Sequence, residues 1–328
     1  MAELATLAGV STGTISRALA GNSLVASDTR ERIQTLAREH GFHPNQMARR
    51  LRIQRTGVIG VVVPLGHERG QHLSDPFFMS MLGLLGDALT ENGYDMMISR
   101  VIPDADDWLE RVVESGMLDG VLLLGQSNQH DAIERVASRY RPMVAWGVAM
   151  PGQNHCAIGS DNLEGGRLAG ARLIAGGARR IAFLGEPNAP EFRQRLEGVA
   201  MAMREAGLTG EPLLLPTALV SESMEEQIAA HIDRVGDRID GIAAASDLIA
   251  MTALRVLADR AIPVPNRIRV VGYDDLPLAT QTVPRLTTVR QDLATGAAAM
   301  IDALFRRMAG EDTPSLQMTP TLVERGSA

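Results

Sequence analysis

From Gly57 onward the sequence alternates short, unbroken apolar runs with amphipathic stretches, and few folds tolerate that texture. The runs are "VIGVVVP" (58–64), "DMMISRV" (95–101), "GVLLLG" (120–125), "MVAWGV" (143–148), "RIAFLG" (180–185), "PLLLP" (212–216), "GIAAAS" (241–246) and "IRVVGYDD" (268–275). A strand that is apolar on both faces must be covered on both, which is the situation of a parallel sheet flanked by helices. Helical periodicity fills the gaps, for example over 77–92, 163–176, 192–206 and 247–260. The runs outnumber what one compact sheet holds, and "AIGSDNLEGG" (157–166) opens what reads as a second copy. The expectation is two α/β subdomains with a cleft between them, and ligands at the carboxyl ends of the strands.

The first 43 residues read differently, as three short helices. Ala5, Ala8, Ile15, Ala18 and Leu19 recur at helical spacing, Gly9 breaks the first run, and Ser11 is placed to cap the second. A third helix follows Ser27, with Ile33, Leu36 and Ala37 on one face, and stops at Gly41 and Pro44. "AGVSTGTISRALAG" (8–21) thus has the pacing of two helices around a tight corner. The second helix carries short hydroxyls at Ser11, Thr12, Thr14 and Ser16, suited to phosphate, and Arg17, which can reach guanine O6 and N7. The net charge of −7 is split: residues 1–56 carry +4 and the remainder −11. A basic head on an acidic body fits a head that meets a polyanion. "NQMARRLRIQR" (45–55) has too little apolar surface to hold a lone helix in water and reads as a linker that orders conditionally.

Other classes find little support. Cys156 is alone, so no internal disulfide framework exists. No basic-then-apolar leader opens the chain and no apolar run approaches membrane-spanning length, so a cytoplasmic protein without membrane contact is expected. No dinucleotide fingerprint, P-loop, H-E-x-x-H or paired C-x-x-C occurs, so neither an enzyme nor a bound metal or cofactor is expected. A sugar-binding protein without regulatory DNA binding would share the two-lobed body but has no use for such a head.

On "AGVSTGTISRALAG", "VASDTRERIQTLAREHGFHPN", "NQMARRL" and "RTGVIGVVVP" the sequence resembles the lactose-repressor (LacI/GalR) family of bacterial transcription regulators. "DPFF" (75–78), "ENGYD" (91–95), "SDNLEGGRLAG" (160–170), "RLEG" (195–198), "SDLIAM" (246–251), "VVGYDD" (270–275) and "PRLTTVRQD" (284–292) follow in that family's order, so the likeness spans essentially the whole chain. The resemblance implies a helix-turn-helix DNA-binding domain at 1–44, a hinge at 45–56, and an effector-binding and dimerisation domain at 57–328. The implied fold is α/β: a two-lobed, periplasmic-binding-protein-like body of two parallel-sheet, Rossmann-like subdomains behind an all-α head. One subdomain would take about 57–156 and 288–312, the other about 157–287 and 313–328. The family usually has a few residues more before its first helix, which leaves that helix here without an obvious cap.

By the same resemblance Thr12, Gly13 and Arg17 occupy base-reading slots, with Thr14 and Ser16 on phosphate; Ser11 is a further candidate DNA contact. Gly13 departs from the usual side-chain-bearing residue and cannot donate a hydrogen bond. Asn45, Arg49, Leu51 and Arg52 belong to the hinge, Leu51 wedging into the minor groove and the arginines holding phosphates. In the body, Asp75 and Phe77 face the effector, with Phe78 in the core. Arg195 grips sugar hydroxyls or a carboxylate, and Asp274 faces it. Asp161, Ser246 and Asp247 hold other strand-end positions, and a helix cap or strand-end hydrogen bond explains Asp161, Asp247 and Asp275 equally well. Trp146 either stacks on a sugar or lies buried; Glu191, Arg193 and Arg100 are further contacts. "ALVSES" (218–223) leaves no aromatic platform near residue 220. The implied function is a homodimeric, DNA-binding repressor of an operator, governed by a small-molecule effector in the cleft. That effector is expected to be a sugar acting as inducer, with a purine-type corepressor as the alternative.

Overall fold

The computed structural model describes residues 2–19, 22, 24–40, 42, 55–66 and 69–328, the side chains of Ser221 and Glu222 excepted. Within the chain two compact units form, Met1–Thr56 and Gly57–Ala328.

The first unit holds α1 (Ala2–Ala8), α2 (Thr12–Leu19) and α3 (Ser27–Glu39). Leu4, Ala5, Ala8, Ile15, Ala18, Val25, Ile33 and Ala37 meet in one small core. Gly9 has φ +64°, a left-handed conformation that glycine adopts freely, and it makes the corner between α1 and α2. Arg32 Nη2 donates to the Ala8 carbonyl at 2.9 Å, tying α3 to the open end of α1. The expected hinge residues Asn45, Arg49, Leu51 and Arg52 lie outside the described residues.

The second unit contains two six-stranded sheets. Its elements in chain order are β1 (Val58–Pro64), α4 (Pro76–Glu91), β2 (Asp95–Val101), α5 (Trp108–Val113), β3 (Gly120–Leu124), α6 (His130–Ala137), β4 (Met143–Trp146) and β5 (Cys156–Ser160). Then come α7 (Asn162–Ala175), β6 (Ile181–Leu184), α8 (Pro190–Glu205), β7 (Leu213–Leu215), α9 (Ser221–Val235), β8 (Gly241–Ala244), α10 (Asp247–Asp259) and β9 (Arg269–Asp274). The chain closes with β10 (Thr287–Arg290), α11 (Leu293–Met308), β11 (Leu316–Met318) and β12 (Thr321–Val323).

The first sheet runs β11-β5-β4-β3-β1-β2 and all its pairs are parallel. The second runs β12-β10-β9-β8-β6-β7, parallel except for the β10–β12 pair. Alternation along single strands sends side chains to opposite layers. Ile59, Val61 and Val63 join α4 and α11 on one face, whereas Val62 joins Leu109 and Ile133 on the other.

Three crossings link the lobes: from β5 to α7, from β10 to α11, and from β11 to β12. The sequence placed these boundaries at 156/157, 287/288 and 312/313, each earlier than the structure does. The reason is pairing. Ala157–Ser160 continue β5 beside β4, Thr288–Arg290 continue β10 beside β9, and Leu316–Met318 pair with β5. Hydrogen-bonding partners decide lobe membership, and composition does not reveal them.

In the second lobe α7 and α8 touch backbone to backbone. A Cβ on Gly166 would run into the Arg195 carbonyl, and one on Gly198 would lie 2.6 Å from the Arg167 nitrogen. This contact sets the position of α8, and with it Arg195.

Candidate functional site

In the first unit, α2 presents its outer face to solvent. Ser11, Thr12, Gly13 and Arg17 are exposed, Thr14 and Ser16 partly so, while Ile15 and Ala18 are buried beneath them. Ser11 caps the helix: its Oγ accepts the Thr14 N–H at 3.1 Å and lies 2.9 Å from the Thr14 hydroxyl. Arg17 Nε donates to the Gly13 carbonyl at 3.2 Å, so the guanidinium lies along the helix over the bare glycine. A Cβ at Gly13 would meet Arg17 and Ser11 only at 3.7 Å, which is ordinary contact. Packing therefore does not demand glycine there.

In the second unit, the parallel strands of both sheets end at one cavity with about 640 Å³ of empty space, mouth included. Of the residues expected from sequence, Asp75, Phe77, Trp146, Glu191, Arg195, Ser246 and Asp274 line it. Asp75 caps α4, accepting from Phe77 N at 2.9 Å and from Gln71 Nε2 at 2.8 Å. The Phe77 and Trp146 rings stand 6.3 Å apart, and Trp146, 4% exposed, backs onto Gly296 of α11. Trp146 thus forms both wall and core. Phe78, assigned to the core, is buried and also borders the cavity.

Among the described residues Arg195 is the only arginine in the lining. Its Nε donates to Asn162 Oδ1 at 2.8 Å and its Nη1 to the Ala245 carbonyl at 2.5 Å. The guanidinium carbon sits 3.7 Å from the centre of the Tyr273 ring and 5.1 Å from that of Phe192. Two rings and two acceptors hold the charge in place.

Asp274 Oδ1 lies 3.9 Å from Arg195 Nη1 and accepts from Gln291 Nε2 at 2.7 Å. Its backbone has φ +121°, a costly conformation for a residue with a side chain, and Ser127 in the same lining has φ +52°. Strain of this kind concentrates where a side chain must be aimed at a ligand. Burial pushes the Asp274 carboxyl up to about 7, against the pull of Arg195 and Gln291, and the charge of Asp75 adds to the rise. Carboxyls from opposite lobes therefore feel each other across the cavity. Burial also raises Asp75, with its two hydrogen bonds opposing, and raises Glu191.

Four expected contacts lie elsewhere. Asp161 caps α7, accepting from Glu164 N at 3.0 Å. Asp247 is fully buried behind the wall, where it accepts from Thr288 Oγ1 at 2.5 Å and Leu276 N at 2.8 Å. Burial and the neighbouring Asp274 push its carboxyl well up. Arg100 is spent on the carbonyls of Arg69 and Gln71, bracing the loop that supports Asp75. Arg193 is exposed, because on a helix it points away from the face shared by Glu191, Phe192 and Arg195. Asp275, a strand-end ambiguity in the sequence, pairs with Arg290 at 2.7 Å and Arg325 at 2.5 Å.

Sequence reasoning missed Gln71, Ser127, Phe192 and Gln291, all in the lining. Phe192 was within reach, since it shares a helical face with Arg195; the other three sit on loops or strand ends without periodicity. Leu219 occupies the wall near residue 220 where no aromatic was expected. Beside Ser127, the Gln126 side chain brackets Val148 through bonds of 2.9 and 3.1 Å. That bracket orients the Gln126 amide so that its nitrogen donates to His155 Nε2 at 2.7 Å. His155 Nδ1–H then donates to Glu134 Oε1 at 2.5 Å.

Among the described residues no group of His, Cys, Asp and Glu is arranged to hold a metal ion, and no helix is long and apolar enough to cross a membrane.

Two family descriptions match: "Bacterial regulatory proteins, lacI family" over residues 1–45 and "Periplasmic binding protein-like domain" over 171–328. The transcriptional regulator CelR of Thermobifida fusca is 32% identical over 96% of this chain and 93% of its own length. A solved complex of CelR with cellobiose shares 30% identity, covers 99% of this chain and 98% of its own, and has a TM-score of 0.72. The lac repressor dimer bound to operator and the anti-inducer ONPF is 23% identical over 99% of this chain and 97% of its own, with a TM-score of 0.85; at that identity it supports the fold alone. These relatives are transcriptional regulators. An exposed helix-turn-helix face, a two-lobed α/β body and a whole-length likeness to CelR lead to one conclusion: the chain belongs to the lacI family of bacterial transcriptional regulators.

Proposed function

We propose that the protein is a homodimeric repressor acting in the cytoplasm, which releases its operator when a sugar fills the cavity between its lobes. The domains serve as head (1–44), hinge (45–56) and sensor (57–328). Ser11, Thr14 and Ser16 contact phosphates, while Thr12, Gly13 and Arg17 face base edges. Asn45, Arg49, Leu51 and Arg52 belong to the hinge, where, as the family likeness implies, Leu51 wedges into the minor groove and the arginines hold phosphates. Two heads on a two-fold axis suit a pseudo-palindromic operator.

One observation carries the reading of the sensor. Arg195 and Asp274 of one lobe share a cavity with Asp75 of the other. Carboxylates accept hydrogen bonds from hydroxyls while a guanidinium donates, and Phe77, Phe192 and Trp146 can cover an apolar sugar face. A ligand held from both sides binds the closed arrangement better than the open one, and only such differential affinity can move the heads. A site for binding without turnover fits the hydrogen bonds of two of its carboxyl groups, Asp75 to Gln71 and Asp274 to Gln291, with Arg195 beside Asp274.

The test is fluorescence anisotropy with DNA from upstream of the protein's own gene, titrated with cellobiose and other sugars, beside a thermal-shift screen of sugars and nucleobases. Release by a sugar that also raises the melting temperature is the expected result. No preference for any genomic fragment over random competitor overturns the repressor reading; a flat response to sugars with a shift to purines replaces inducer by corepressor.

A further inference from the structure

Gln126 sits between two residues of the cavity wall, Gly125 and Ser127, while its own side chain is fully buried outside that lining. Both neighbours have left-handed backbone, Gly125 at φ +92° and Ser127 at φ +52°, and Ser127 holds that conformation at a cost. Something must fix the turn. The Gln126 amide does so: its Oε1 accepts the Val148 N–H and its Nε2 donates to the Val148 carbonyl, so backbone polarity decides which end is nitrogen. The same Nε2 donates to His155 Nε2 at 2.7 Å, which therefore carries a lone pair. The ring proton lies on Nδ1 and goes to Glu134 Oε1. Glu134 acts as an acceptor throughout, for its Oε2 also accepts from the backbone and side-chain nitrogens of Asn154, each at 2.8 Å. Hydrogen bonding thus selects one tautomer of a neutral, buried imidazole.

A second proton has one place to go, Nε2, where it would face the Gln126 amide donor. Turning the amide over would offer that proton an acceptor. It would also set the Gln126 nitrogen against the Val148 N–H and its oxygen against the Val148 carbonyl. Either the charged ring loses its partner or the wall loses its bracket. The groups around the ring divide. Glu134 on α6 favours the charge, whereas burial, His130 at the start of α6 and Arg307 on α11 oppose it. The neutral ring is therefore the resting form, and protonation comes below the ordinary 6.5. The Gln126 backbone N–H faces Glu191 of the other lobe, so a shift of this wall is felt where the lobes approach each other.

We infer that His155 is a positioning residue of the effector site: as the neutral Nδ1–H tautomer it holds Gln126 and the Gly125–Ser127 wall, and a proton taken at Nε2 breaks that hold and weakens effector binding. This rests on the sensor reading proposed above and adds to it a group outside the cavity that ties ligand affinity to pH.

The experiment compares full-length wild type, His155→Gln and His155→Phe from about pH 8 to 5, with circular dichroism and melting temperature as controls for folding. Glutamine keeps an acceptor for Gln126 and takes no proton; phenylalanine fills the space and accepts nothing. Asp75, Glu191 and Asp274 are common to all three proteins, so differences between them isolate His155. Calorimetric titration uses cellobiose and ribose as probes. Near neutral pH, wild type and His155→Gln bind alike, and His155→Phe binds about 3- to 10-fold more weakly, the scale of one lost hydrogen bond. Toward pH 5 wild type loses about that much relative to His155→Gln. A ligand-free arm reads the wall itself. Nitrogen NMR spectroscopy, with His155 assigned by its absence from His155→Gln, shows the Nδ1–H tautomer near neutral pH. Tryptophan fluorescence, from Trp146 in the lining and Trp108 bonded to Gln129 of the same loop, shifts with the midpoint of that ring.

Sugar affinities that run parallel in wild type and His155→Gln, or an Nε2–H tautomer near neutral pH, overturn the inference and leave the sensor reading intact. Failure of both sugars to bind at any pH counts against the sensor reading with these ligands. The inference then stands if the fluorescence midpoint follows the His155 ring and vanishes in His155→Gln, and falls if it does not.

Discussion

Asp274 offers a direct test of how the sensor trades stability for binding. Its carboxyl is buried, and even with Arg195 nearby it is pushed up to about 7 from an ordinary 3.8. A carboxyl whose folded value is raised holds its proton longer in the folded state. Stability therefore falls as pH rises from about 4, and the loss is complete above about 7. At about 1.4 kcal/mol per unit, three units set a ceiling of about 4 kcal/mol on the destabilisation at pH 8. Asp274→Asn removes that penalty. It keeps an acceptor for Gln291, and gives up the weak 3.4 Å bond from Asp247 N and the 3.9 Å attraction to Arg195. Part of the gain is lost there, at about 1 kcal/mol per bond, which leaves a net gain of about 1–3 kcal/mol. For a unit of this size the expected rise in melting temperature is about 2–10 °C at pH 8, with almost none at pH 4.5. The assay is thermal unfolding of both proteins across that range, beside calorimetry with the effector, which should bind far more weakly to the variant. A variant less stable than wild type at pH 8, or a gain independent of pH, would refute the reasoning.

Three further outcomes are expected. Arg17→Ala should weaken specific operator binding by about 1–3 kcal/mol with little effect on non-specific DNA; unchanged discrimination in a competition assay removes Arg17 from the reading face. Gly198→Ala places a methyl group against the backbone of Leu163 and Arg167, so it should destabilise the second unit by about 1–3 kcal/mol and weaken effector binding by shifting Arg195. Chemical denaturation that matches wild type would show that α7 and α8 can part freely. Burial lowers the imidazole of His155 below its usual 6.5, opposed by the Glu134 hydrogen bond. The unfolded chain then binds a proton below about 6.5 that the folded chain resists, so melting temperature should fall from pH 7 to 5, less so in His155→Gln. Parallel curves for the two proteins would dismiss His155 as the cause.

Chain texture carried the architecture a long way. "VIGVVVP" and "GVLLLG" became central strands buried on both faces because only helices on both sides can dry such runs. Ser246 and Asp274 were legible as strand-end polar residues, the places where parallel sheets present ligand groups, whereas Arg195 and Glu191 were named through the family resemblance. Arg193 was misjudged because adjacency in sequence is not adjacency on a helix, whereas Phe192 follows from the three-residue spacing to Arg195. Gln71 and Gln291 had no such signal. An amide at a loop or a strand end looks like any solvated residue until its partner, Asp75 or Asp274, is known.

The sequence alone determined that this protein has a basic helical head and a doubly covered α/β body, because hydrophobic period and local charge are properties of neighbours along the chain. Only the tertiary structure decided which strands belong to which lobe, that Asp247 serves the wall and not the cavity, and that Glu191 borders the cavity while Arg193 does not. Those outcomes depend on which distant groups dehydrate one another, and dehydration is a property of packing in three dimensions.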